Sequence, residues 1–255
     1  MTSVHRAAEL GFGREAGTYE QGRPDYPAAL TGWLAGPLAL GPGRTVADVG
    51  AGTGKFTRLL EKAGTQVIAI EPVAAMRAQL QALLPEVRAL AGSAEAIPLR
   101  SESLDTLTCA QAFHWFASKE ALDEFRRVLK PGGRLGLVWN VRDESVDWVA
   151  QITRIITPYE GDAPRFHSGT WRRPFPHPGF GELVEQRFTH THVGPPQRVI
   201  VERFLSVSFI AALPPADKAA VRGQLEELIA THPALRGQGE VVFPYRTQAF
   251  HCLRL

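Results

Sequence analysis

Apolar runs and helical periodicities alternate along the first half of the chain. Short runs rich in β-branched residues are typical of buried strands, and between them the apolar positions recur at helical spacing. The pattern predicts strands over 45–49, 66–70, 87–91, 104–110 and 134–139, and helices over 53–63, 73–84 and 119–129. Strands that alternate with helices require right-handed crossovers. We therefore expect an α/β, Rossmann-like, doubly wound and mostly parallel sheet with helices on both faces.

Beyond residue 141 the pattern is less regular. It predicts a helix over 147–157, followed by a Pro- and aromatic-rich segment at 158–180 that is typical of a lid or substrate-facing loop. Late strands are predicted over 182–192 and 240–255, with helical insertions over 199–213 and 215–231. These strands bring the predicted sheet to seven strands. We expect one domain over 1–255, with a helical cover at 1–40, a core at 41–140, and the late strands, lid and insertions at 141–255.

Composition narrows the class of protein. The 255 residues are 44% hydrophobic with a formal charge of +2, and no long basic run marks a nucleic-acid binder. Only Cys109 and Cys252 are present, each in an apolar run, which predicts buried thiols rather than a disulfide framework.

No stretch reaches the ~18 apolar residues of a membrane span, and the first residues do not resemble a leader. We expect a cytoplasmic monomer or homodimer with no membrane or nucleic-acid partner.

Three alternate glycines, Gly50, Gly52 and Gly54, connect the first predicted strand to its helix. Glycine permits a tight turn and lets a ligand approach where any Cβ would collide. Glu71 ends the second strand about twenty residues later, where a carboxylate can accept both hydroxyl hydrogens of a ribose. Asp48 lies in an apolar strand and needs a partner if buried, such as a bound ammonium group or ordered backbone amides.

The spacing of this loop also bears on three other interpretations. The glycines could form only a tight turn, with Glu71 capping the next helix, and this alternative stays open. A nicotinamide site needs Gly-x-Gly-x-x-Gly, but Lys55 stands where the third glycine belongs. A P-loop needs a longer glycine spacing and a hydroxyl residue after its lysine, whereas Phe56 follows Lys55.

The segment from Asp48 to Gly54 resembles the first motif of the class I S-adenosylmethionine-dependent methyltransferases. Residues 92–98, 104–111 and 125–133 resemble that family's adenine-side loop, its fourth-strand motif and its connection into the fifth strand. The resemblance implies S-adenosylmethionine as cofactor and S-adenosylhomocysteine as product. It implies these cofactor-binding residues: Asp48, Gly50, Ala51, Gly52, Gly54, Glu71, Pro72, Ser93, Ala94, Glu95 and Gln111.

A narrower likeness covers residues 19–27, 112–116 and 138–140. These segments resemble the methyltransferase type 11 branch that contains trans-aconitate methyltransferase-like enzymes acting on small molecules. The resemblance implies an enzyme with a small-molecule acceptor. Residues 141–255 carry no motif that identifies the acceptor.

Methyl transfer from a sulfonium is an in-line displacement, which requires alignment and exclusion of water rather than a nucleophilic side chain. A carboxylate acceptor is already nucleophilic, whereas a hydroxyl benefits from a base. His114 follows the fourth strand at the ligand-binding end of the sheet and is the predicted catalytic residue, although a packing role is also open. The predicted substrate-binding residues are Tyr19, Arg23, Tyr26, His114, Trp115, Asn140 and Arg142.

Other polar residues carry weaker expectations. His167, Trp171 and Arg172 flank the predicted lid and could line the acceptor pocket or lie at the surface. His190 and His192 alternate on one strand, but no acidic or thiol ligand stands nearby, so we expect an exposed face and no metal.

The leading hypothesis is therefore methyl transfer to a carboxylate or hydroxyl oxygen of a small molecule. A non-methylating protein that binds S-adenosylmethionine is the first alternative. A nucleic-acid methyltransferase is disfavoured, because Gln111 to His114 replace the Asn-Pro-Pro-Tyr-like base-flipping motif.

Overall fold

The computed structural model describes residues 23–255, which build a single seven-stranded sheet with the order β3-β2-β1-β4-β5-β7-β6. Neighbours among the first five strands are parallel, whereas β7 runs antiparallel to both β5 and β6. This arrangement confirms the predicted doubly wound, mostly parallel sheet. The strands are β1 Thr45–Val49, β2 Gln66–Ile70, β3 Arg88–Leu90, β4 Leu104–Ala110, β5 Leu129–Arg142, β6 Val184–Gly194 and β7 Val241–Leu253.

Helices connect the strands and form the C-terminal insertions. They are α1 Leu30–Ala35, α2 Lys55–Lys62, α3 Ala74–Leu83, α4 Lys119–Val128, α5 Asp147–Ile156, α6 Arg203–Leu205, α7 Ser208–Ala211 and α8 Pro215–Thr231. A π-helical turn, Gln197–Glu202, runs directly into α6. No helix within residues 23–255 is both long and apolar enough to cross a membrane.

Helix α4 shows how local sequence determines an element. Its N-cap Ser118 accepts a hydrogen bond from the amide of Ala121, which satisfies one of the free donors of the first turn. Leu122, Phe125 and Val128 then recur on one face, and all three are fully buried against the sheet. This packing covers the β4–β5 region and fixes the loop that follows β4.

The two faces of the sheet are covered by different parts of the chain. On one face, α4 and the segment after α5 pack with Leu107, Leu137 and Phe250. On the other, α1 approaches so closely that a Cβ on Gly136 would lie 2.8 Å from Leu38 Cδ1 and 3.0 Å from Trp33 Cη2. The insertion helices pack around the outer end of β7 and form a third cluster.

Several predicted elements differ from those observed. Strand β5 begins at Leu129 rather than at residue 134, because its pairing with β4 resumes beyond a bulge that contains Gly132 and Gly133. Residues 199–213 do not form one helix, since the chain breaks between α6 and α7 at Ser206 and Val207. Residues 158–180 contain only short 3-10 turns.

Candidate functional site

The glycine loop follows β1 at the carboxyl end of the parallel strands. Gly50, Gly52 and Gly54 have φ angles of +72°, +59° and +91°, a region that side chains rarely adopt. A Cβ on Gly50 would lie 2.6 Å from the Cβ of Ala112, in the loop after β4. Glycine is therefore required at position 50 both by the backbone and by the close approach of the next loop.

Gly54 has a packing role that the sequence did not indicate. It is the N-cap of α2, and a Cβ there would lie 2.9 Å from Leu80 Cγ and 3.0 Å from Leu84 Cδ1. Gly54 thus allows α2 to pack against α3, and it does not line the adjacent cavity. A direct cofactor contact at Gly54 stays a prediction.

Glu71 is 5% exposed and ties the glycine loop to the start of α3. Its Oε2 accepts a hydrogen bond of 2.8 Å from the Gly52 amide, and its Oε1 accepts one of 2.8 Å from the Val73 amide. The carboxylate therefore stabilises the loop and also caps α3, which was the alternative role considered from sequence, while ribose binding by Glu71 stays a prediction. Burial raises the pKa of Glu71 above its usual value.

Asp48 is buried under the loop, with two hydroxyl donors as its partners. Thr57 Oγ1 donates to Asp48 Oδ2 at 2.7 Å, and Thr108 Oγ1 donates to Oδ1 at 3.2 Å. These side chains from α2 and β4 satisfy Asp48 in place of the ordered backbone amides considered from sequence, while a bound ammonium group as a further partner stays a prediction. Burial raises the pKa of Asp48 to about 7, since hydroxyl donors offset only part of the desolvation of a carboxylate.

A cavity that we call the loop cleft opens between the glycine loop, Glu71 and the loop after β4. All the predicted cofactor residues except Gly54 line it. These are Asp48, Gly50, Ala51, Gly52, Glu71, Pro72, Ser93, Ala94, Glu95 and Gln111. Val73 and Met76, which sequence reasoning missed, are among the other residues that line it.

A second cavity, which we call the arginine cavity, lies beside the loop cleft. The two cavities share five lining residues, Arg23, Gln111, Trp115, Asn140 and Arg203. The arginine cavity is also lined by Trp139 and Phe166, and by His114, Arg142, Arg165 and His167. The predicted residues His114, Trp115, Asn140 and Arg142 are thus brought together, next to the loop cleft.

The residues predicted from the N-terminal segment are only partly described. Tyr19 lies outside the described residues. Arg23 lines both cavities, and Tyr26 lines the loop cleft with its ring edge against Phe56, at a centroid distance of 4.8 Å. Lys55 Nζ donates a 2.6 Å hydrogen bond to the Arg23 carbonyl, which holds this segment at the cleft.

Asn140 is held by contacts within the fold. Its Nδ2 donates to the carbonyl of Asp25 at 2.9 Å, and its Oδ1 accepts from Thr247 Oγ1 at 2.6 Å. Asn140 therefore fastens residues near Asp25 to β5 and β7 while it lines both cavities.

His114 lies in a short 3-10 turn after β4, half-buried between tryptophans. Its Nδ1 accepts a 3.0 Å hydrogen bond from Trp139 Nε1. Burial, together with the positive charges of Arg165 and Arg23, lowers the pKa of His114 to about 3. The imidazole is neutral at physiological pH.

Arginines from three separate elements converge on the arginine cavity. Arg142 ends β5, Arg165 lies in the segment after α5, and Arg203 begins α6. Arg165 Nε lies 3.4 Å from Glu160 Oε1, and burial lowers the pKa of Arg165 to about 10. Nε and Nη1 of Arg203 are buried without a hydrogen-bond partner in the described part of the chain. Such donors, placed in a cavity, favour an anion.

The remaining sequence candidates divide between core and surface. Trp171 is 1% exposed and packs against Trp139 at a centroid distance of 4.6 Å, so it anchors the predicted lid in the core. Arg172 stacks over Trp171 outside both cavities. His190 and His192 are half-buried rather than exposed. Within residues 23–255, no group of three or more potential metal ligands comes together.

The sheet order, the glycine loop and the acid after β2 define a Rossmann-like fold that binds a nucleoside cofactor at the carboxyl ends of its strands. A profile of the methyltransferase domain family matches residues 47–137. An uncharacterised methyltransferase-like protein of Schizosaccharomyces pombe is 39% identical over 244 residues, which cover 94% of this chain and 93% of that protein. The chain belongs to the S-adenosylmethionine-dependent methyltransferases.

Solved structures agree with this membership. A proposed type II methyltransferase from Anaeromyxobacter dehalogenans has a TM-score of 0.62 at 26% identity, covering 91% of this chain and 96% of that one. A phosphoethanolamine N-methyltransferase of Haemonchus contortus, in complex with S-adenosylhomocysteine, has a TM-score of 0.58 at 13% identity. It covers 99% of this chain and 60% of that one, and it shares the fold. The family uses S-adenosylmethionine as methyl donor.

Proposed function

We propose that the loop cleft holds S-adenosylmethionine and that the arginine cavity holds a small-molecule acceptor, which is methylated on a carboxylate or hydroxyl oxygen. The observation that carries the proposal is the wall shared by the two cavities. Gln111 and Trp115 line both, so a ligand in one cavity and an acceptor in the other would meet there. An in-line displacement requires such adjacency.

The polar groups that line the loop cleft match those of the cofactor. Glu71 would accept hydrogen bonds from the ribose hydroxyls, with the glycine-loop backbone beside it and Ser93 and Glu95 toward the base. Asp48, neutral or charged near physiological pH, would lie toward the amino acid portion. The bound cofactor supplies an electrophilic methyl group, and the chain's residues supply its orientation and a site shielded from water.

The charges that line the arginine cavity favour an anionic acceptor. Of the two proposed acceptor groups, a carboxylate and a hydroxyl, we favour the carboxylate. Four guanidinium groups line it, from Arg23, Arg142, Arg165 and Arg203, against the carboxylate of Glu144. Arginine binds carboxylates through paired, charge-assisted hydrogen bonds. The aromatic rings of Trp115, Trp139 and Phe166 would exclude water from the reacting oxygen.

The chain as a whole is proposed to act as one domain in the cytoplasm. Both cysteines are free and buried, which suits a reducing compartment. Family membership by itself identifies the chain as a methyltransferase and does not assign its acceptor.

The test is release of S-adenosylhomocysteine from the purified protein supplied with S-adenosylmethionine and matched panels of small carboxylic acids, alcohols and amines. We expect release to depend on a carboxylic acid. Tight cofactor binding without release in any panel would indicate the non-methylating alternative. Release with amines alone would contradict an oxygen acceptor.

A further inference from the structure

The hydrogen bond between Trp139 and His114 fixes the proton positions on the imidazole. An indole nitrogen can only donate, so the ring nitrogen that faces it must be an unprotonated acceptor. That nitrogen is His114 Nδ1, at 3.0 Å from Trp139 Nε1. A neutral imidazole carries one proton, which must then lie on Nε2.

The same contact also fixes the orientation of the imidazole ring. If the ring were rotated by half a turn, a carbon-bound hydrogen would face the indole N–H and the hydrogen bond would be lost. Trp139 is 1% exposed, and its ring packs against Trp171, with a centroid distance of 4.6 Å. The indole therefore has no freedom to release Nδ1.

The imidazolium is disfavoured by the same contact and by the surrounding charges. If Nδ1 were protonated, its N–H and the Trp139 Nε1–H would both be donors, facing each other at an N–N distance of 3.0 Å. The charged and titratable groups that share the cavity with His114 are Arg23, Arg142, Glu144, Arg165, His167 and Arg203. Because cations outnumber the one carboxylate among them, a further positive charge is costly, which agrees with the lowered pKa of His114.

We propose that His114 is a hydrogen-bond donor to the acceptor, and that it selects oxygens that are already ionised because it cannot act as a base. This inference rests on the function proposed above. His114 lines the arginine cavity, and Nε2–H is the polar group of its ring that Trp139 leaves available. On this proposal His114 takes the substrate-facing role that the sequence allows, and not that of a base.

The chemistry of the step explains the selection. An ionised carboxylate oxygen forms a bond to the methyl carbon while the bond from that carbon to sulfur breaks and its electron pair passes to sulfur. No proton moves. An alcohol would have to lose a proton in the same step, and Nε2 already carries one, so it cannot accept another. Trp139 is then a positioning residue, which acts on the acceptor only through His114.

The direct test is long-range proton–nitrogen NMR of the full-length protein labelled in its histidines, with His114→Asn used to assign the signal. We expect the Nε2–H tautomer, unchanged between pH 5.5 and 8.5 because the pKa of His114 lies near 3. Trp139→Phe should allow tautomer exchange, whereas the matched control Trp148→Phe, in a separate core cluster, should not. A proton on Nδ1, or an imidazolium signal near pH 7, would overturn the proposal.

Kinetics test the selection itself. His114→Gln keeps an N–H donor and should lower kcat/KM for an accepted carboxylic acid only a few-fold, whereas His114→Leu should lower it by about tenfold to a hundredfold. The wild type should not methylate the alcohol that matches an accepted acid; equal rates with both would refute the selection. If no acceptor is methylated, the proposed function fails, while the NMR result still decides the state of His114.

Discussion

Glu71 and Gly52 are joined by a hydrogen bond of 2.8 Å from the Gly52 amide to the carboxylate, 19 residues away in sequence. The contact connects the end of β2 to the turn after β1. The second carboxylate oxygen accepts a hydrogen bond from the Val73 amide. One buried acid therefore holds both the glycine loop and the start of α3, which face the cleft. Since we propose that the same acid binds the ribose, loop order and cofactor affinity should be coupled.

Replacement of this acid should weaken cofactor binding. We expect Glu71→Ala to raise the Kd for S-adenosylmethionine by about tenfold to a hundredfold, since charge-assisted hydrogen bonds of roughly 1.5 to 3 kcal/mol are lost. Isothermal titration measures the change. Glu61→Ala, which removes an exposed acid on α2, is the control and should bind like the wild type. Unchanged affinity of Glu71→Ala would remove Glu71 from the site.

Gly50 should tolerate no side chain. Gly50→Ala places a Cβ 2.6 Å from Ala112 Cβ at a φ of +72°, whereas Gly43→Ala has a similar φ of +80° with nothing within 4 Å. The control should lose about 1 to 2 kcal/mol of unfolding free energy from backbone strain. We expect Gly50→Ala to lose roughly 1 to 3 kcal/mol more from overpacking. Urea denaturation compares them, and equal losses would show that Ala112 moves aside freely.

Asp48 should make the stability of the protein depend on pH. Its pKa is about 7 in the folded protein, against an ordinary value of 3.8 for an aspartate carboxyl. The unfolded chain therefore binds fewer protons between these pH values, and stability falls as pH rises from 4 to 7 and is then constant. Asn does not titrate, so Asp48→Asn should not show this fall in stability between pH 4 and pH 7.

The unfolding free energy of Asp48→Asn, relative to wild type, should increase by roughly 2 to 4 kcal/mol between pH 4 and pH 8. Urea denaturation of both proteins at several pH values measures this difference. Titration of other groups is common to both proteins and cancels. A difference that does not change with pH would mean that Asp48 is ionised at a normal pKa in the folded protein.

Arg165 should contribute to acceptor binding and not to cofactor binding, because it lines only the arginine cavity. In protein saturated with S-adenosylhomocysteine, Arg165→Gln should weaken binding of an accepted carboxylic acid by about tenfold to a hundredfold. The Kd for S-adenosylhomocysteine itself should stay the same. Arg236→Gln, an exposed arginine, is the matched control. Equal acceptor affinity in both variants would place the acceptor elsewhere.

The loop cleft could be predicted because its determinants are contiguous. Three glycines with fixed spacing and an acid at the end of the next strand are local signals, and parallel strands bring such ends to one edge. The packing role of Gly54 could not be predicted, because sequence does not reveal that a Cβ there would meet Leu80 of α3.

The arginine cavity could be predicted only in part. Arg142 follows a recognisable strand, but Arg165 and Arg203 come from irregular segments whose positions depend on tertiary packing. The state of His114 was likewise hidden, since its determinant, Trp139, lies 25 residues away. Long-range contacts of this kind have no local sequence signal.

The central claim is that a carboxylate in the arginine cavity receives the methyl group. The most direct measurement supplies S-adenosylmethionine with an isotope-labelled methyl group and an accepted carboxylic acid, isolates the labelled product and treats it with mild alkali. We predict an ester, which alkali cleaves to release the label as methanol in an amount equal to the S-adenosylhomocysteine formed. A labelled product that survives alkali, as an ether or N-methyl group would, contradicts the account.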